Sequence, residues 1–151
     1  MIEVREPKEL VCRWGESPRT FVLDPFAIGA YEVTRGQFRD FALQSNDEGF
    51  KDQPKRDKAL PVTRVSYNKA AKFCNWLSKK SGLSGEEFCY EVLADGNVAF
   101  ADDHMARRGF RLPTEAEWEY ACSNGHDSGA FTPLEKESVN RYAWSLSLIH
   151  I

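Results

Sequence analysis

Apolar positions recur at helical spacing behind a capping residue in three segments of the chain. In the first, Thr34-Arg35-Gly36-Gln37 has the T-x-x-[EQ] form in which a hydroxyl and an amide cap each other's backbone N–H, and Phe38, Phe41 and Ala42 follow on one face. In the second, a Ser66 cap leads into Ala70, Phe73, Cys74 and Leu77, with Lys79 and Lys80 near the negative end of the helix and Gly82 placed to stop it. The third lies in GFRLPTEAEWEYAC, residues 109–122, where Thr114 and Glu117 form another capping box. There Trp118, Ala121 and Cys122 recur at i, i+3 and i+4 and are the expected buried stripe, with Pro113 placed for a hydrophobic staple onto Trp118.

Extended segments are shorter. TFVLDPFAIGAYEV is rich in aromatic and β-branched residues broken at Asp24-Pro25 and Gly29, which predicts two short strands. Leu60 to Val65, Phe88 to Val92 and Phe110 to Leu112 are further strand candidates. Long polar stretches, Ser45 to Ala59 and Ala94 to Arg108, separate them. Helices interspersed with short strands and large loops predict a loop-rich α+β domain with little regular secondary structure, not a regular βαβ alternation, and no internal repeat is visible.

Composition narrows the function. A chain of 151 residues that is 42% hydrophobic can bury a core as one domain. Twenty Lys and Arg against 23 Asp and Glu give a net charge of -3, which makes no electrostatic case for nucleic acid or an anionic membrane. No apolar run approaches the ~20 residues of a membrane helix, and MIEVREPKEL lacks the apolar centre of a signal peptide, so the default expectation is a cytoplasmic protein. Cys12, Cys74, Cys89 and Cys122 form no C-x-x-C pair, and His104, His126 and His150 make no ligand grouping with them. The G-x-S-x-G, Walker and G-x-G-x-x-G motifs are absent. Glu115, Glu117 and Glu119 could be read as an acid pair or metal ligands, but a helix start enriches carboxylates for its own reasons, and capping is the expected role. Cys74 and Cys122, on the apolar stripes of their helices, are expected to be small buried core residues.

Three segments together resemble the formylglycine-generating enzyme, or sulfatase-modifying factor, family. They are Glu32-Val33-Thr34 with Gln37, Phe38 and Phe41; Pro61-Val62 to Val65-Ser66 with Cys74-Asn75-Trp76-Leu77-Ser78; and the long, specific run from Arg111 to Ala121. Thr34, Gln37, Cys74, Trp76, Arg111, Pro113, Thr114, Glu117 and Trp118 are the structural signature of this resemblance. Gly82-Leu83 followed by Cys89-Tyr90-Glu91 is similar to bacterial members with an inserted loop, some of them fused to kinase or repeat domains. Departures are Tyr67, where a tryptophan is common, and Ser123-Asn124-Gly125 in place of an arginine-containing run.

The resemblance implies a variant of the C-type lectin-like fold. It also implies copper-dependent, oxygen-using oxidation of a cysteine in a protein or peptide substrate to formylglycine, with calcium as a structural ion. In the family the copper-binding cysteine pair follows well after the arginine-to-alanine run, so no catalytic, cofactor-binding or metal-ligating residue is expected in this chain, and copper and calcium belong to the complete parent protein. Asn140, a loose echo of a calcium-site asparagine, is not counted as a ligand. In secreted relatives the positions of Cys74 and Cys122 are disulfide-bonded to cysteines further along. Two other readings stay open: a non-catalytic lectin-like module of a bacterial signalling protein that binds a peptide or glycan, and the lectin-like part of a non-haem iron sulfoxide synthase whose iron ligands lie in a preceding helical domain.

Leu146 to Ile151 reads as the in-frame translation of a transposase end sequence used in library preparation. The expected organisation is therefore the N-terminal part of one domain over 1–145 and a non-native tail over 146–151, the alternative being a genuine terminal strand.

Overall fold

A computed structural model describes residues 2–6, 8–12, 19–45 and 57–122. By its internal contacts the chain divides into two compact units, Met1–Ile28 with Pro113–Ile151, and Gly29–Leu112.

The first unit is built from short antiparallel ribbons and one helix. Strand β1 (Ile2–Val4) pairs with β4 (Phe26–Ile28), Ile2 opposite Ile28 and Val4 opposite Phe26, and β2 (Lys8–Cys12) pairs with β3 (Arg19–Leu23), Leu10 opposite Phe21. Asp24-Pro25 separates β3 from β4, as the sequence predicts, because proline carries no N–H for the ladder. Helix α3 (Glu115–Cys122) packs against β2 and β3. Its core contact is Ala116 on Leu23, flanked by Phe26 and Tyr120, whose rings meet edge to face at 6.1 Å.

The face that α3 buries differs from the expected one. Ala116, Glu117 and Glu119 are buried, whereas Trp118 is 49% exposed and Cys122 is exposed. Two apolar phases coexist in EAEWEYAC: Ala116 with Tyr120 at i, i+4, and Trp118 with Ala121 and Cys122. Size alone favours the phase that holds the tryptophan. The space beside Leu23 and Phe26 instead takes a small alanine and a tyrosine edge.

The second unit follows the predicted caps closely. Helix α1 (Arg35–Gln44) opens on a complete capping box: the Gln37 N–H donates to Thr34 Oγ1 at 3.3 Å and the Thr34 N–H donates to Gln37 Oε1 at 2.9 Å. Helix α2 (Tyr67–Lys80) starts at Ser66, whose hydroxyl accepts from the Lys69 N–H, carries Lys79 and Lys80 in its last turn, and ends before Gly82 at φ +82°. Phe38, Phe41 and Phe73 form one buried cluster between α1 and α2, with Trp76 stacked on Phe73 at 5.6 Å between ring centres. The Trp76 indole N–H donates to Gln44 Oε1 at 2.8 Å, which ties the two helices at their far ends.

A second cluster joins Ala71 and Cys74 of α2 to Cys89 and to Tyr90 of β5 (Tyr90–Val92). β5 pairs with β6 (Val98–Phe100) through a turn in which Gly96 takes φ +82°. Asp95-Gly96 is a hairpin signal inside what reads from the sequence as a long polar loop, since Gly adopts positive φ without steric cost. Two expected strands are not strands. Within Leu60–Val65 the only ladder contact among the described residues is a bridge from Pro61 to Thr34, and Arg64 lies at φ +58°. Phe110–Leu112 is held by side chains: its Phe110 N–H donates to Ser78 Oγ at 2.8 Å and its Leu112 N–H to the Tyr90 hydroxyl at 3.0 Å. The expected Phe88–Val92 strand begins two residues late, because a 3₁₀ turn (Gly85–Glu87) runs into Phe88.

Candidate functional site

The chemistry-bearing side chains of the second unit gather around α2. Ser78, fully buried, accepts the Phe110 N–H and donates its own proton to the Cys74 carbonyl at 2.9 Å. Asn75 donates to the Tyr90 carbonyl at 2.8 Å. Cys89 directs its thiol at the Gly109 carbonyl, 3.1 Å away. The bonds at the Gly109 carbonyl and the Phe110 N–H satisfy the backbone of an irregular segment.

Cys74 and Cys89 share this buried cluster as free thiols. Burial pushes the Cys74 thiol from its ordinary 9.0 up to about 12, and the neighbouring Cys89 adds to the rise. Burial also raises Cys89, outweighing the opposite pull of Arg111 and Arg107. A nucleophile or copper ligand must be a thiolate, and both groups are held protonated among apolar neighbours. They are inert packing groups. The expected buried core role thus holds for Cys74 and not for Cys122, which is exposed at the end of α3.

A linked consequence concerns alkaline pH. Native Cys74 keeps its proton above pH 9.0, where an unfolded cysteine releases it, so this group's contribution to stability is complete below that pH and declines as pH rises toward about 12.

The remaining signature residues are structural by their contacts. The Arg111 guanidinium donates to the Leu112 carbonyl at 3.2 Å. In the first unit the Thr114 N–H donates to Glu117 Oε2 at 2.8 Å and the Glu117 N–H donates to Thr114 Oγ1 at 3.2 Å, the reciprocal cap expected there. Pro113 is exposed. His104 lies in a turn, its Nδ1 3.0 Å from the Ala101 carbonyl and its ring 4.3 Å from Phe100. His126, His150, Asn140 and the tail fall outside the described residues. Among the described residues no three His, Cys, Asp or Glu side chains converge on a point where a metal ion would sit, and no helix is long and apolar enough to cross a membrane.

Two expected outcomes follow from these bonds. Thr114→Ala removes the hydroxyl that caps α3 and should lower stability by about 0.5–2 kcal/mol in urea titration. Ser78→Ala strands the Phe110 N–H in a part-buried setting and should cost about 1–3 kcal/mol in the same titration. Ser78 could have been found in the sequence, since it continues the small-residue line Ala71–Cys74 along the buried side of α2.

Among the described residues, capped helices, three two-stranded ribbons and irregular connections held by side chains make a mixed α+β framework. Residues 4–148 match the model of the sulfatase-modifying factor enzyme 1-like domain, and the chain belongs to that family. It is 33% identical over 136 residues to "Chaperone protein LppX" of Paenibacillus barcinonensis, a match covering 85% of this chain and 46% of the relative. It is 28% identical over 145 residues to the formylglycine-generating enzyme of Bos taurus, covering 78% of this chain and 36% of that protein. It is 29% identical over 153 residues to "Inactive C-alpha-formylglycine-generating enzyme 2" of Bos taurus, covering 85% and 48%. The chain thus spans half or less of the length of these curated relatives. No solved structure matches it.

Proposed function

We propose that this chain is the N-terminal framework of a sulfatase-modifying-factor domain, on the lectin-like variant of the α+β architecture, and that the parent protein oxidises a protein cysteine to formylglycine with groups outside the described residues. The observation that carries the reading is the state of Cys74 and Cys89: both lie in an apolar cluster, with thiols raised by burial. Cu(I) selects accessible thiolates. These two do not fit a copper site. Framework and chemistry are therefore assigned to different parts of the domain.

The test is turnover by the full-length gene product, loaded with copper, on a cysteine-containing sulfatase-derived peptide, with the aldehyde read by hydrazide labelling and mass spectrometry. Aldehyde formation that persists in Cys74→Ala and Cys89→Ala variants supports the assignment. Loss of turnover in a folded Cys74→Ala or Cys89→Ala variant would contradict it.

A second reading is favoured by the names of two relatives, one a chaperone and one an inactive paralogue. In that reading the domain binds a polypeptide without altering it. Copper-loaded full-length protein that makes no aldehyde, yet suppresses aggregation of a refolding client, would select it.

A further inference from the structure

We draw no further inference here: the strongest candidate, the exposed aromatic patch formed by Tyr67 at the start of α2 and Phe100 at the end of β6, is an unpartnered apolar face, and nothing in the structure shows what covers it.

Discussion

Replacing Phe38 with alanine is expected to cost about 3–5 kcal/mol and to melt the packing of α1 on α2. Phe38 is almost wholly buried and lies 5.2 Å from Phe41 and 5.3 Å from Phe73, ring centre to ring centre. Phe41 and Phe73 in turn contact Trp76, so the loss opens a hole at the meeting point of four rings. Burial of so large a side chain contributes about 1.5–3 kcal/mol by transfer alone, and the cavity adds to that loss because neighbours relax only partly. Against a typical whole-domain stability of about 5–15 kcal/mol, one such truncation leaves little margin. Urea titration followed by far-ultraviolet circular dichroism checks it. A midpoint within experimental error of the parent chain would mean that α1 does not depend on this cluster.

Gly109→Ala is expected to be nearly as damaging for a different reason. A methyl group there would sit 2.5 Å from the Glu87 carbonyl oxygen and 3.2 Å from both the Cys89 nitrogen and the Phe88 Cα. All three are backbone atoms, so no side-chain rotation relieves the clash. The Gly109 N–H donates to the same Glu87 carbonyl at 2.9 Å, and its own carbonyl receives the Cys89 thiol. Separation of the two strands of chain would therefore break both contacts. Overpacking of this kind costs about 1–3 kcal/mol, occasionally more, and the backbone origin of the clash places it at the upper end. Cys89 should become reactive to alkylating reagents in the folded variant. Unchanged stability together with a protected Cys89 would show that the approach of Gly109 to Cys89 is looser than the coordinates give.

What could be read from the amino acids divides along a physical line. Thr34 with Gln37, Ser66, Gly82 and Thr114 with Glu117 were legible because a helix cap is settled within four residues, and each of these caps forms. The break at Asp24-Pro25 was legible for the same reason. Strand β1 was harder: three residues long, it exists because Ile2–Val4 finds Phe26–Ile28 more than twenty residues away, and Ile2–Val4 carries no local signal of that partner. Strand β6 carries a local signal of another kind, since Asp95-Gly96 announces the hairpin. The face of α3 was ambiguous because Ala116–Tyr120 and Trp118–Cys122 are both acceptable helical stripes. Only the shape of the space beside Leu23 decides between them. Glu119 was least legible of all. A glutamate in a short surface helix looks solvated, and nothing in the run EAEWEYAC marks Glu117 and Glu119 as the ones shielded from water.

The proposed function assigns the chemistry to residues other than the framework described above. Cys74, Cys89, Ser78 and Tyr90 have the look of a reactive cluster when written as a list, yet the side chains of Cys89, Ser78 and Tyr90 bond the backbone of the irregular segment at Gly109, Phe110 and Leu112. Their burial holds the protons in place. The Tyr90 hydroxyl, pushed up to about 12 chiefly by burial, likewise stays a neutral hydrogen-bonding group.

Site-resolved alkylation of the native chain by iodoacetamide, with each cysteine followed by peptide mass spectrometry, tests this most directly. The account predicts rapid modification of Cys122, and protection of Cys74 and Cys89 until denaturant unfolds the second unit, with no onset of native Cys74 labelling as pH passes 9.0. Prompt labelling of Cys74 or Cys89 in the folded chain near neutral pH would show that a reactive thiolate is accessible there, and would contradict the assignment of this segment to framework alone.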